Sequence, residues 1–283
     1  NLKNIRTSSN IFGFIYSIFS TFKNSNSKYL LISINPYTFL SFLLLFLFKK
    51  NIFVYLRSSG HEEYKYILGS WAVWVYEFMY KIITSRSKVI VVDNRLHQGK
   101  KSYLVLPSKL EKLWFINHRE APLDQVKLLY VGRINPEKGI IQFFEIFNKL
   151  KMNIQLSIVS DAKNLNISNN NIKLLGHGFD TKSLISIYDD HNITLLPSFT
   201  EGHPHVVDES LARRRPVVIF QDILHIIKDK KGIFVSKRNV DSFSKVTKYI
   251  INNYSNIQKD IEKNKLPTRD DFLKNISNII ENN

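Results

Sequence analysis

A doubly wound α/β chain with two domains is the fold class this sequence predicts. Short apolar runs alternate with longer amphipathic ones, the pattern of parallel strands joined by helical crossovers. At 283 residues and 44% hydrophobic content, the chain is long enough to bury two cores. With only 10 Gly and 8 Pro, disorder on a large scale is not expected.

In the front half, residues 29–33 and 52–56 read as strands on either side of a helix over 37–48. That helix is almost wholly apolar, yet it is bounded by Asn35-Pro36 and Lys49-Lys50. It is too short for a comfortable bilayer span of about 20 residues. It therefore reads as a buried helix with Pro36 in its first turn, a membrane-embedded helix being the alternative. A Trp- and Tyr-rich helix near 70–83 follows, then a strand over 89–92. In the back half, strands over 126–131, 154–159, 172–174, 193–196 and 216–220 interleave with helices over 138–150, 181–188 and 204–213. Helices fill the chain from 241 to its end, the last over 268–280. No repeat of solenoid length is present.

The segment Glu120-Ala-Pro-Leu-Asp124 is polar, carries a Pro and precedes the first strand of the clearer half, so it is the expected linker. This sets the division at 1–123 and 124–283. In tandem domains of this kind, ligands bind beyond the carboxyl ends of the strands, and a cleft between the domains is the natural site. No start Met is present and no cleavable signal precedes the first strand-like run. The front half reads as shortened by one or two leading strands.

The absence of Cys excludes a disulfide framework, a thiolate nucleophile and Cys-ligated zinc, and it fits a reducing compartment. The net charge of +16 is uneven, with +11 in residues 1–123 and +5 in 124–283. Such a bias suits anionic partners, nucleic acid or an acidic membrane surface. The alternative is a lysine- and asparagine-rich composition with no partner behind it.

Two stretches carry chemistry. After the strand over 126–131 comes Gly132-Arg-Ile-Asn-Pro-Glu-Lys-Gly139. Gly132 is expected to allow a sharp turn, while Arg133 and Lys138 bring two cations to a helix N-terminus that already favours anions. Arg binds phosphate oxygens bidentately and Lys acts as a point charge, so a diphosphate is the expected guest. The glycine spacing matches neither a Walker A loop nor a GxGxxG fingerprint. After the strand over 193–196 comes Pro197-Ser-Phe-Thr-Glu-Gly202, leading into Glu201-Gly-His-Pro-His-Val-Val-Asp-Glu209. Glu201 and Glu209 stand eight positions apart across a loop that runs into a helix, where they could grip two parts of a nucleotide sugar. Glu201 would meet sugar hydroxyls, Glu209 a ribose diol, and the backbone N–H groups at Gly202 and His203 the sugar or its phosphate, with Pro204 in the first helical turn. Taken alone, Gly132–Gly139 also reads as a surface turn with two solvated cations, and each carboxylate as a solvated or capping group.

Together, Gly132-Arg133, Lys138-Gly139, Gly176, Pro197-Ser198, Glu201-Gly202, Glu209 and Pro216-Val217-Val218 resemble the retaining GT-B glycosyltransferases of the group 1 type, family GT4. The resemblance is strongest over about 126–236. It implies two Rossmann-like domains facing a cleft: an incomplete acceptor-side domain, 1–123, and a nucleotide-sugar-binding domain, 124–267. The segment 268–283 would be a closing helix that packs back on the first domain. By the same resemblance Arg133 and Lys138 bind the donor diphosphate, Glu201 the transferred sugar and Glu209 the ribose. The turn with Gly176 and His177 receives the base, and Gly202, His203, Pro204 and His205 line the donor loop. His61, in Arg57-Ser-Ser-Gly-His-Glu-Glu63, resembles the family's first-domain histidine near the transferred sugar and is expected in a loop that faces the cleft.

Three departures stand out. His203-Pro204 replaces the usual Phe-Gly after Glu-Gly. Arg213-Arg214-Arg215 replaces small residues and is expected either to add phosphate affinity or to form basic surface. A glycine-rich loop near the start of the first domain is not visible. His203 and His205 sit at i, i+2 with no third ligand, so no metal is expected, and no cofactor beyond the donor itself.

The resulting expectation is a hexosyltransferase-like, retaining enzyme of polysaccharide biosynthesis. It would move a sugar from a nucleotide-diphosphate donor to a glycan or lipid-linked acceptor, in the cytoplasm and peripheral at an anionic inner membrane face. The alternative is a non-catalytic nucleotide-sugar-binding protein. Nucleic acid is not an expected partner, because no recognised reading motif accompanies the charge.

Overall fold

The structure, a computed structural model, describes residues 5–23, 26–97, 101–121, 123–161 and 169–283. Of the predicted linker, Pro122 lies outside the described residues. The chain divides into two units, Asn1–Val105 with Ile276–Asn283, and Leu106–Asn275.

The first unit runs α1 (Ile11–Phe19), β1 (Lys28–Ile32), α2 (Pro36–Leu47), β2 (Asn51–Leu56), α3 (Gly60–Leu68), α4 (Ala72–Ser85), β3 (Lys88–Val91) and β4 (Tyr103–Leu104). Its sheet is parallel with order β1-β2-β3-β4. The apolar run at 37–48 forms α2 as expected, with Pro36 in the first turn and a capping box between Asn35 and Thr38. Phe42 and Leu45 of α2 bury against Val54, Leu56, Val89 and Val91 of β2 and β3. Among the described residues, no helix is long and apolar enough to cross a membrane.

The second unit runs β5 (Val126–Val131), α5 (Ile140–Phe147), β6 (Ile154–Val159), β7 (Ile172–Gly176), α6 (Thr181–Asp189), β8 (Ile193–Leu196), α7 (His205–Ala212), β9 (Val217–Phe220), β10 (Ile233–Ser236), α8 (Val240–Asn252), α9 (Tyr254–Ile261) and the first half of α10 (Arg269–Glu281), whose second half belongs to the first unit. The sheet is parallel in the order β10-β9-β8-β5-β6-β7. The chain winds outward from β5 through β6 to β7, then returns to place β8 on the other side of β5. The reversal falls between β5 and β8, the position at which such sheets bind ligands beyond their carboxyl ends. Every residue of β8 and β9 is buried, as a strand covered on both faces requires.

The division falls between Val105 and Leu106, not at 123/124. Leu110 and Trp114 pack with Leu129, Tyr188 and Ala212, so this stretch belongs to the second core. The last helix is divided too. Arg269 N–H bonds the Leu110 carbonyl in the second unit at 2.9 Å, whereas Lys28 Nζ of the first unit donates to the Ile280 and Glu281 carbonyls at 2.6 and 3.0 Å.

Candidate functional site

The two chemistry-bearing stretches emerge from neighbouring strands on either side of the topological reversal. β5 pairs with β8 through Leu128↔Ile193 and Leu129↔Thr194, so the loop after β5 and the loop after β8 leave the sheet side by side. They are then stitched together. Phe199 N–H donates to the Glu137 carbonyl at 2.9 Å, and Lys138 Nζ donates to Glu201 Oε1 at 2.7 Å. Ser198 Oγ donates to the same carboxylate oxygen at 2.7 Å.

The glycines divide this work differently from the expectation. Gly132 has no positive φ; a Cβ there would come 3.0 Å from the Tyr130 hydroxyl, which donates to the Arg133 carbonyl at 2.6 Å. Its requirement is space, not a turn. Gly139 makes the turn, with φ +65°, and a Cβ there would overlap the Pro197 carbonyl oxygen. It ends the short 3₁₀ turn Pro136–Lys138 and starts α5 at Ile140, two residues later than the sequence pattern predicts.

Lys138 and Glu201 are mostly buried, whereas the Arg133 side chain is 67% exposed. The guanidinium lies 3.9 Å from Glu137, a buried residue whose Oε2 has no hydrogen-bond partner among the described residues. Arg133 therefore offers a cation at the mouth of the loop, and Lys138 one inside it.

Behind Glu201 the loop is held by residues that sequence reasoning missed. The Glu201 carbonyl lies 2.7 Å from His225 Nε2, and Arg238 donates to the Pro197 and Ser198 carbonyls at 2.9 and 3.1 Å while stacking on Phe199. His203 Nε2 is 2.7 Å from Asp208 Oδ2, and Lys230 Nζ donates to Asp208 Oδ1 at 2.5 Å. This buried cluster pins Gly202-His203-Pro204 against α7. Burial pushes the Asp208 carboxyl up, but the His203 hydrogen bond and the Lys230 charge outweigh it and hold it below the ordinary range. His205 opens α7 and turns its ring edge-on to His203, with centroids 6.2 Å apart. Among the described residues, no group of three His, Asp or Glu side chains converges to hold an ion.

Glu209 lies in the same helix, buried, and accepts from the Tyr188 hydroxyl of α6 at 2.8 Å. Burial raises its carboxyl above the ordinary range, against the Tyr188 hydrogen bond, which lowers it. At the end of β7, Gly176 and Gly178 take φ of +84° and +81° on either side of His177, with open space among the described residues where a Cβ would stand.

Arg213 and Arg215 correct an expectation. They are neither basic surface nor phosphate ligands, because both are fully buried. Arg213 forks onto Asp189 at 2.9 and 2.8 Å and donates to the carbonyls of Trp114, Ile116 and Asn117. Arg215 donates to the carbonyls of His191, Arg119 and Asp189. Only Arg214 reaches solvent, with φ +56° and an ion pair to Glu262 at 2.8 Å.

His61 belongs to the first unit and stands in the first turn of α3, not in a loop. Its Nε2 pairs with Glu77, and its ring meets those of Tyr76 and Tyr80 at 4.7 and 5.4 Å. A cavity of ≈ 350 Å³ beside it is lined by Ser58, Ser59, Tyr80 and Arg95. Gly60 is obligatory here, because a Cβ would overlap the Tyr76 ring.

Residues 115–266 match the family described as glycosyl transferases group 1. The chain belongs to that family. The capsular polysaccharide biosynthesis glycosyltransferase CapM of Staphylococcus aureus is 27% identical to this group 1 member over 148 residues, which are 47% of this chain and 38% of that protein. The chain spans between 38 and 59% of the length of the curated relatives it matches. Sucrose-phosphate synthase from Thermosynechococcus elongatus superimposes with a TM-score of 0.74 at 14% identity, covering 96% of this chain and 78% of that one. HepE of Anabaena, solved in complex with UDP-glucose, gives 0.70 at 9% identity, covering 94% of this chain and 81% of that one. These likenesses establish the fold: parallel α/β sheets of the GT-B glycosyltransferase type.

Proposed function

We propose that this group 1 glycosyltransferase chain, of the retaining GT4 type, moves a hexose from a nucleotide-diphosphate donor to a glycan or lipid-linked acceptor in polysaccharide biosynthesis. The observation that carries the reading is the Lys138–Glu201 pair at the β5/β8 reversal, a cation beside a carboxylate where such sheets bind ligands.

Lys138 and Arg133 bind the diphosphate and take up the charge it gains as it leaves with the electron pair of the C1–O bond. A hydroxyl oxygen of the acceptor forms the new bond to C1 on the face the diphosphate leaves, and its proton passes to the departing phosphate oxygen. Glu201 and the backbone of Gly202 and His203 hold the sugar hydroxyls, with Pro204 and His205 shaping the loop. Glu209 accepts from the ribose, and the backbone at Gly132 and the glycines around His177 receive diphosphate and base. His61 positions the sugar from the first unit. Two protein cations make a metal ion unnecessary. The basic first unit holds the chain at the anionic cytoplasmic face of a membrane, and the closing segment 268–283 tethers that unit.

Isothermal titration with UDP and GDP tests donor binding, with Arg133→Ala and Lys138→Ala as controls. Binding of neither nucleotide, or binding that both variants leave intact, refutes the site. Product formation from a panel of donor sugars separates the enzyme from a nucleotide-sugar-binding protein that catalyses nothing.

A further inference from the structure

We propose that the outer face of α1, α2 and α4 inserts apolar side chains into the interface of an anionic lipid bilayer. This rests on the membrane reading above and replaces attachment by charge alone with attachment by charge and insertion.

The face is built of side chains that a soluble surface would keep inside. Phe12 and Tyr16 on α1, Leu47 at the end of α2, Trp71 just before α4, and Trp74 and Phe78 along it are each between 57 and 82% exposed. Their spacing is helical: 12 and 16 on one stripe, 71, 74 and 78 on the other, so each helix turns an apolar stripe outward. None of the residues of α1 is buried. Ring contacts make the three helices one layer, Phe14 against Tyr37 joining α1 to α2 and Phe39 against Phe78 joining α2 to α4. A large exposed apolar patch marks an interaction surface.

Charge selects the occupant. The first 61 residues hold seven Lys or Arg and no Asp or Glu. Two cations stand within the layer itself, Lys50 Nζ 5.0 Å from the Phe22 ring and the Arg86 guanidinium 5.2 Å from the Phe46 ring. The acidic residues of α3 stay in its first turn, and Glu77 of α4 is paired with His61 and Lys81. Aromatic and aliphatic side chains among Lys and Arg, with two exposed tryptophans, fit an interface of acyl chains and phosphate headgroups.

The test is sedimentation of the full chain with vesicles of phosphatidylcholine alone and of phosphatidylcholine with phosphatidylglycerol, read together with tryptophan emission. Trp114 is buried, so a change in emission reports Trp71 and Trp74. The expected result is binding and a blue shift with the anionic vesicles only. The variant Trp74→Ser/Phe78→Ser should bind them about tenfold more weakly, with UDP affinity and melting transition unchanged. Failure to sediment with any vesicle overturns both this proposal and the membrane reading. Binding that the double variant retains overturns insertion and leaves attachment by charge. A dimer that forms without lipid and is lost in the double variant gives the face to a second copy of the chain and also overturns the proposal. UDP binding decides the donor site independently of all three.

Discussion

Lys138 and Glu201, 63 residues apart in sequence, meet at 2.7 Å and lock two loops from neighbouring strands into one wall. Both side chains are largely shielded from water, so the pair is screened less than a surface ion pair. Removing one partner leaves the other charge half-desolvated and without its counter-charge. In a double-mutant cycle of Lys138→Met and Glu201→Gln, followed by urea denaturation, the coupling should be about 1–3 kcal/mol. A coupling near zero would show that the contact does not hold in solution.

Donor binding should divide between the two cations by burial. Lys138→Ala is expected to weaken UDP binding about 10- to 100-fold, the loss of one charge-assisted contact to phosphate. Arg133→Ala, at an exposed side chain, should weaken it with no change in melting temperature. Calorimetric titration and a thermal melt of each variant check the pair.

Asp208 and Glu209 are consecutive, yet their carboxyls are displaced in opposite directions. Glu209 is raised, so its contribution to stability is present below its unfolded value of 4.5 and is lost as pH rises through the higher folded value. Asp208 is lowered, so its contribution is present above 3.8 and is lost as pH falls through its folded value below that. If the Glu209 carboxylate accepts from the ribose, UDP affinity should fall about tenfold as acidification protonates it, at a pH above 4.5. Glu209→Gln should remove that step from the pH profile; a profile identical to that of the unaltered chain would count against the ribose contact.

Two glycine substitutions should part company. Gly139→Ala combines φ +65° with overlap of the Pro197 carbonyl, and is expected to cost several kcal/mol and to disturb UDP binding. Gly176→Ala has open space and bears only the strain of its φ, about 1–2 kcal/mol. Chemical denaturation of the two proteins measures the difference.

The parallel sheet was legible because strands buried on both faces are uninterrupted apolar runs, as at 193–196 and 217–220. The two loops were legible because their charged residues follow directly on such runs. Other elements carry weaker signals. β10 is four residues at the edge of its sheet and mostly half-buried, and α3 begins at a glycine with no side-chain cap. The arginine run misled for a different reason: its partner, Asp189, lies 24 residues before Arg213, and nothing local announces that pairing. The same holds for Tyr188 beneath Glu209 and for Arg238 across the loop at Pro197.

The paired arginines also dictate where this chain can be cut. A fragment starting at Asp124 would look like a tidy domain, but it would strip Arg213 and Arg215 of four backbone carbonyls and leave two buried guanidinium groups sharing one carboxylate. Such a fragment should be insoluble or unfolded, because buried donors without acceptors are costly. A fragment starting at Leu106 keeps those acceptors and should fold, with circular dichroism and a cooperative melt telling the two apart. The stretch 106–119 is thus a structural strap of the second unit, and any separate study of that unit has to include it.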